Sequence, residues 1–251
     1  MPTLNAAGAD IHYQVLGEQG PVIVMIHGLL LGNMATWYFG AAATLAKTHR
    51  VIVYDLRGHG LSGKASSGYD LETMVADLKH LMDEQDIEKA SLVGHSYGSL
   101  IALHFARIYP GRVEKLVMVE GPLPPARGMQ MEEFVALSGD DMMSALPIQL
   151  QELLYKPGRQ GKKLLERLQF LAGDTDLLDR LKIERDFENH ELQSLSMPVQ
   201  LIYGARSQLV DVARRLHENI PGAELHWIDG GHYLPAEKPL ELTQTIGGFF
   251  P

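Results

Sequence analysis

Apolar and polar positions along this chain follow two periods in turn. Asp10-Ile11-His12-Tyr13-Gln14-Val15-Leu16 alternates in the manner of a half-buried strand, and Gly17 to Gly20 turns it back. Pro21-Val22-Ile23-Val24-Met25-Ile26 is apolar without a break, and Val51 to Tyr54, after Arg50, repeats the pattern. Unbroken runs of this length mark strands buried on both faces of a parallel sheet. Leu92-Val93, Val113 to Val119, Val199 to Tyr203 and Glu224 to Ile228 continue the series. Between these runs the period lengthens. Ala41, Leu45 and Ala46 give a helical stripe over Trp37 to Thr48. Leu71, Met74, Val75, Leu78 and Met82 give another over Asp70 to Gln85. A helix opens over Leu100 to Ala106 and runs to Tyr109, where Pro110-Gly111 stops it. Val210 to Asn219 and Lys238 to Phe250 are also helical in pattern. Strands alternating with helices predict an α/β fold with a mostly parallel, doubly wound sheet.

The alternation pauses from about Leu123 to Ser196. No strand pattern occurs there, only helical stretches at Gln149 to Tyr155, Lys162 to Ala172 and Leu177 to Leu195, broken by Pro124-Pro125, Pro147 and Pro157-Gly158. The expected organisation is therefore an α/β core over residues 1–121 and 197–251. A mainly helical lid or cap, residues 122–196, is inserted after the sixth strand. Met129, Met131, Met142 and Met143 cluster at its start. Each taken singly reads as core filling; together they would suit an adaptable apolar pocket.

Bulk properties narrow the function further. With 251 residues the chain suits one large domain. A net charge of −9, without clustered Lys and Arg, argues against a nucleic-acid surface. The absence of cysteine excludes disulfides, thiolate catalysis and Cys-ligated metals. Met1 to Asp10 lacks the basic and apolar regions of a signal peptide, and no apolar run reaches membrane-spanning length, so a cytoplasmic location is expected.

The chemistry concentrates at Gly94-His95-Ser96-Tyr97-Gly98. An apolar strand enters it and a helix leaves it, which is the nucleophile-elbow arrangement. The turn lifts the serine hydroxyl clear of the sheet and sets a helix N-terminus beside it. Three further stretches occur in order: His27-Gly28 after a strand, Asp55-Leu56-Arg57-Gly58-His59-Gly60 after the next, and Gly231-His232 near the end. With these four stretches the chain resembles the α/β-hydrolase superfamily over essentially its whole length, on its serine-hydrolase branch. The resemblance implies Ser96 as nucleophile, followed in chain order by an acid and a histidine base. His104, His190, His217, His226 and His232 lie downstream; only His232 sits in a Gly-rich loop directly after a strand. His232 is accordingly the expected base. Asp55, Arg57 and His59 are read as holding their turn.

The third member departs from the superfamily's usual pattern. An aspartate commonly stands a few residues after the glycine that ends the strand at Tyr203, but here the positions hold Ser207 and Gln208. Two carboxylates remain as substitutes. Glu120 ends the preceding strand, where some branches of the superfamily place the acid, and Asp211 lies at the start of a predicted helix. Glu120 is preferred, with Asp211 as the alternative. The acid's task is to orient the imidazole and stabilise its charged form. The oxyanion hole is expected from the backbone N–H groups of Tyr97 and Leu29, with Leu30 as the other possibility. No metal-ligand spacing and no phosphate-binding loop occurs, so no cofactor is expected.

The resemblance implies hydrolysis of a carboxylic ester or acyl thioester through an acyl-enzyme. The expected substrate is a small apolar acyl compound, free or presented on a carrier, and the expected state is a monomer or homodimer. The alternatives are a carbon–carbon bond hydrolase or lyase using the same triad, and a ligand-binding signalling protein on the same fold.

Overall fold

A strand buried on both faces presents alternate side chains to two layers, and the sheet of this protein is built in that way. The computed structural model describes residues 2–6, 8–124 and 159–250. Eight strands form one sheet: β1 (Thr3–Ala6), β2 (Ala9–Leu16), β3 (Val22–Ile26), β4 (Arg50–Tyr54), β5 (Ala90–His95), β6 (Val113–Val119), β7 (Val199–Gly204) and β8 (Glu224–Ile228). Their spatial order is β1-β2-β4-β3-β5-β6-β7-β8. β1 and β2 join by antiparallel pairing, and every neighbouring pair from β4 through β8 is parallel. The mostly parallel sheet and its flanking helices are the expected fold. β1 was not legible as a strand, being four residues at the edge of the sheet.

The two layers follow directly from strand period. Val24, Ile26, Ile52, Tyr54, Leu92, Leu116, Met118, Leu201 and Tyr203 face one core, with apolar residues of helices Leu71–Glu84, Tyr97–Ile108 and Val210–Asn219. Ile23, Met25, Val51, Val53, Val93, Val117, Val119 and Ile202 face the other, with Trp37, Leu45, Leu242 and Ile246. The helix Leu71–Glu84 starts where its N-cap requires, since Asp70 accepts from the backbone N–H of Thr73 at 2.8 Å.

Three predicted helices differ in detail. The one expected over Trp37 to Thr48 runs instead through Ala35–Trp37, Tyr38–Ala42 and Ala43–Leu45, kinked at Gly40, whose backbone leaves the helical region. The helix after the elbow begins at Tyr97 rather than Leu100. The stretch Leu177 to Leu195 divides into Leu177–Ile183 and Asn189–Gln193. Glu188 and Glu191 form a reciprocal capping box that starts the second piece. Between the two helices lies a non-helical segment, whose Arg185 pairs with Glu191. Helix Arg159–Gly173 contains the predicted Lys162 to Ala172 stretch. The predicted helix at Gln149 to Tyr155 and the four clustered methionines lie outside the described residues. Among the described residues no helix is long and apolar enough to cross a membrane.

The loop after β4 is tied to both neighbouring layers. Asp55 accepts from the backbone N–H groups of Met34 and Leu61, each at 2.7 Å. Arg57 is buried and makes a two-pronged pair with Asp77 of helix Leu71–Glu84, at 2.8 and 2.7 Å. Burial raises the Asp77 carboxyl above its ordinary range even beside this guanidinium, so desolvation outweighs the attraction. The pair fixes the turn's geometry more than it stabilises the fold. Removing one partner leaves a buried charge unmatched. Asp77→Ala is expected to lower unfolding stability by about 3–5 kcal/mol, read from denaturant midpoints. A change below about 1 kcal/mol would mean that water reaches Arg57 freely.

Candidate active site

The candidate site is built where β3, β5, β6 and β7 end. At the elbow, β5 turns into helix Tyr97–Ile108 within one residue, and Ser96 takes φ 53°, ψ −126°. Two glycines permit this. A Cβ on Gly94 would lie 2.4 Å from the Ser99 backbone, and one on Gly98 would lie 2.4 Å from the Ile26 carbonyl oxygen. Strand, turn and helix are thus packed too closely for any side chain at either place. Among the described residues four non-glycine positions have positive φ: Leu30, Asp86, Ser96 and Glu120. Three of them border this site, where such strain is characteristically retained for function.

The structure brings Ser96, His232 and Glu120 into one hydrogen-bonded chain. His232 Nε2 lies 3.0 Å from Ser96 Oγ, and His232 Nδ1 lies 3.1 Å from Glu120 Oε2. A carboxylate only accepts, so Nδ1 carries the proton and Nε2 offers its lone pair to the serine hydroxyl. Glu120 is fully buried at the end of β6. Its carboxylate also accepts from the Gly204 N–H and from Ser207 Oγ, the latter at 2.5 Å. Ser207 therefore stands at the position expected for an aspartate and donates to Glu120 instead. Gln208 is exposed.

Asp211 is not part of this cluster. Its side chain is 96% exposed in the first turn of helix Val210–Asn219, 3.4 Å from Arg214. There it faces the positive end of the helix dipole, the ordinary place for such a residue. The remaining downstream histidines also lie elsewhere. His104 packs on Phe187, His190 pairs with Glu188, His226 lies beside Glu224, and His217 is in the last turn of helix Val210–Asn219.

The oxyanion candidates separate on their hydrogen bonds. The Leu30 N–H donates to His59 Nε2 at 2.9 Å and is committed. This leaves Leu29 in that loop. Tyr97 is the first residue of its helix, where the backbone N–H has no acceptor within the helix. His27 and His59 hold the loop from beneath. His27 Nε2 accepts from Leu56 N–H at 3.0 Å while Nδ1 donates to the Gly28 carbonyl at 2.7 Å; His59 Nδ1 donates to the Arg57 carbonyl at 2.8 Å. Burial pushes His27 down to about 4 and His59, which also feels His27, to about 3. Both rings are neutral, as their accepting nitrogens require.

Contacts from outside the elbow were not legible in the sequence. Glu237, five residues after His232, accepts from the backbone N–H groups of Gly231 at 2.8 Å and Tyr233 at 3.2 Å. The Tyr97 hydroxyl donates to Glu184, in the segment between helices Leu177–Ile183 and Asn189–Gln193. Burial raises the Glu184 carboxyl to about 7. Among the described residues no group of three His, Asp or Glu side chains is placed to hold a metal ion.

Comparison with known proteins agrees with the fold. A family model described as the alpha/beta hydrolase fold matches residues 21–158. A protein of Escherichia coli named, provisionally, as a carbamate hydrolase (RutD) is 30% identical over 233 residues, covering 87% of each chain. The dihydrolipoyllysine-residue acetyltransferase component of the acetoin cleaving system of Pseudomonas putida is 29% identical over 94% of this chain; the chain spans 65% of that protein's length. A solved enzyme described as degrading N-acyl homoserine lactones superimposes with a TM-score of 0.77 at 27% identity, over 99% of this chain and all of its own.

Two measurements test this geometry. Glu120→Gln is expected to lower kcat by about 10³–10⁴-fold, the scale seen when a triad acid loses its charge, whereas Asp211→Asn leaves turnover near wild type. The reverse outcome would move the acid to Asp211. The second concerns acid stability. His27 and His59 titrate at about 4 and 3 when folded, against an ordinary 6.5 when unfolded. The unfolded chain thus binds protons first, and the contribution of these rings is complete above pH 6.5 and lost as pH falls toward 4. Urea midpoints should drop between about pH 7 and about pH 5; equal midpoints would contradict buried neutral rings.

Proposed function

The chain belongs to the α/β-hydrolase fold family and is an enzyme of that family, and from that premise we propose that it cleaves a carboxylic ester or acyl thioester through an acyl-enzyme on Ser96. The single observation that carries this reading is the continuous chain from Ser96 Oγ through His232 to Glu120, at 3.0 and 3.1 Å. A serine hydroxyl is a weak nucleophile at neutral pH, and an imidazole lone pair at this distance removes its proton as it attacks. Ser96 Oγ bonds to the substrate carbonyl carbon while its proton passes to His232 Nε2. The carbonyl oxygen becomes an oxyanion, which the Leu29 and Tyr97 N–H groups would receive; one such donor is worth about 3–4 kcal/mol in the transition state. His232 then gives its proton to the leaving oxygen or sulfur, and the acyl group stays on Ser96. Water, deprotonated by the same ring, releases the acid.

Glu120 holds the His232 tautomer throughout and steadies the imidazolium without taking its proton. Ser207 and Gly204 donate to the same carboxylate and hold it in place for this role. Relatives named for lactone and carbamate cleavage support attack on a carbonyl that bears a heteroatom leaving group. The lid expected over residues 122–196 would supply the acyl pocket, with the substrate a small acyl compound and no cofactor.

The test is a panel of chromogenic esters, acyl thioesters and lactones of graded chain length, followed by intact-mass measurement of the trapped enzyme. Turnover should accompany an acyl adduct on the peptide containing Ser96. Ser96→Ala should lose about six orders of magnitude in kcat and form no adduct. Full turnover by Ser96→Ala would overturn the reading.

A further inference from the structure

The imidazole of His232 has its side chain held by Glu120, but its reach toward Ser96 also depends on where its backbone is anchored. That backbone lies in the loop after β8. Gly231 and Tyr233, the neighbours on either side, donate their N–H groups to Glu237. The His232 carbonyl is bound from a different direction. His95 Nε2 lies 3.0 Å from it, and a carbonyl can only accept, so Nε2 is the protonated nitrogen of His95. His95 is the last residue of β5, immediately before Ser96. One residue pair in the sequence thus grips the base loop with its first member and carries the hydroxyl on its second.

The His95 ring is enclosed by its neighbours. It is buried, meets the indole of Trp37 edge-on at 85° with centroids 6.4 Å apart, and lies 5.5 Å from the His232 ring. A Cβ on Gly28 would come within 3.4 Å of its Nδ1. Burial, and then the closeness of the His232 ring, push His95 down to about 3, so the ring stays neutral. Neutrality matters to the neighbour. A charged His95 at this separation would oppose the imidazolium that forms on His232 during proton transfer, whereas a neutral donor leaves that charge to Glu120.

We propose that His95 is a positioning residue for the reaction: its Nε2–H, donated to the His232 main-chain carbonyl, ties the base loop to the nucleophile's own strand and sets the 3.0 Å approach of His232 to Ser96. This rests on the serine-hydrolase reading above and adds to it a residue that acts through the main chain of the base. Misplacing a catalytic group by about 1 Å costs up to 100-fold in rate, which is the scale at stake.

The test compares His95→Phe, which fills the space without a donor, with His95→Gln, whose amide restores one at similar reach. The probes are p-nitrophenyl butyrate for kcat and KM, and an alkyl fluorophosphonate, whose phosphorus bonds Ser96 Oγ as fluoride leaves. His95→Phe is expected to lower kcat and the labelling rate together, by about 10- to 100-fold, with KM and melting temperature little changed. His95→Gln should recover most of both rates. Labelling and kcat at wild-type level in His95→Phe would overturn the proposal. So would equal losses in both variants accompanied by a lower melting temperature, which is the signature of a purely structural role. If His95→Phe does not fold, His95→Asn, whose amide falls short of the carbonyl, takes its place with the same expectations. A wild-type enzyme that the fluorophosphonate leaves unlabelled at Ser96 would instead overturn the serine reading, and the positioning role with it.

Discussion

The structure at the carboxyl edge of the sheet depends on one backbone constraint, the left-handed turn at Ser96. A non-glycine residue at φ 53° is disfavoured by contact between its Cβ and its own backbone, and the surroundings must hold it there. They do so by packing. Gly94 and Gly98 let the end of β5 and the start of the following helix close to van der Waals distance on Ser99 and on the Ile26 carbonyl. The Ser96 N–H donates to the Val119 carbonyl at 2.8 Å, and Ser99 Oγ bridges to the Gly94 and Val119 carbonyls. Relaxing the turn would break these bonds and open the interface between β5, β6 and the helix.

The same crowding explains how the neighbouring polar groups are used. Histidines at this edge are buried, and burial keeps His27, His59 and His95 neutral. A neutral imidazole is a donor at one nitrogen and an acceptor at the other, so each ring can join two backbone groups with opposite needs. His27 joins Leu56 to Gly28, His59 joins Leu30 to Arg57, and His95 reaches the His232 carbonyl. Burial, which would penalise charge, here yields precise neutral hydrogen bonding instead. Glu120, a fully buried carboxyl group, is satisfied in another way. It is held by three donors from three places in the chain: Gly204, Ser207 and His232.

Strand period, helix period and the Gly-x-Ser-x-Gly spacing are local properties, and they made the α/β class, six of the eight strands to within a residue at either end, and the elbow legible in the sequence. Local signals failed where tertiary contacts compete with them. Gly40 kinks a helix that its apolar stripe makes continuous, and the non-helical segment at Glu184 to Glu188 divides another, where Glu191 pairs with Arg185 and Arg107 rather than facing solvent. β1 left no such signal, because four residues carry too little period to distinguish a strand from an extended terminus.

For the site, the chain by itself determined which residue types were available and in what order: a serine at an elbow, a histidine in a late glycine loop, and the lack of a carboxylate at Ser207 and Gln208. It favoured Glu120 and kept Asp211 as the alternative, since each is an acidic residue near the end of a strand or the start of a helix. Only the folded structure separates their positions, because distance between residues 112 apart in sequence is set by sheet order and not by spacing. β6, β7 and β8 are adjacent, so Glu120 at the end of β6 meets both Ser207 after β7 and His232 after β8, while Asp211 is carried outward on its helix into solvent. The grip of His95 on the His232 carbonyl was likewise invisible, since a hydrogen bond to a main-chain atom leaves no mark on the partner's identity.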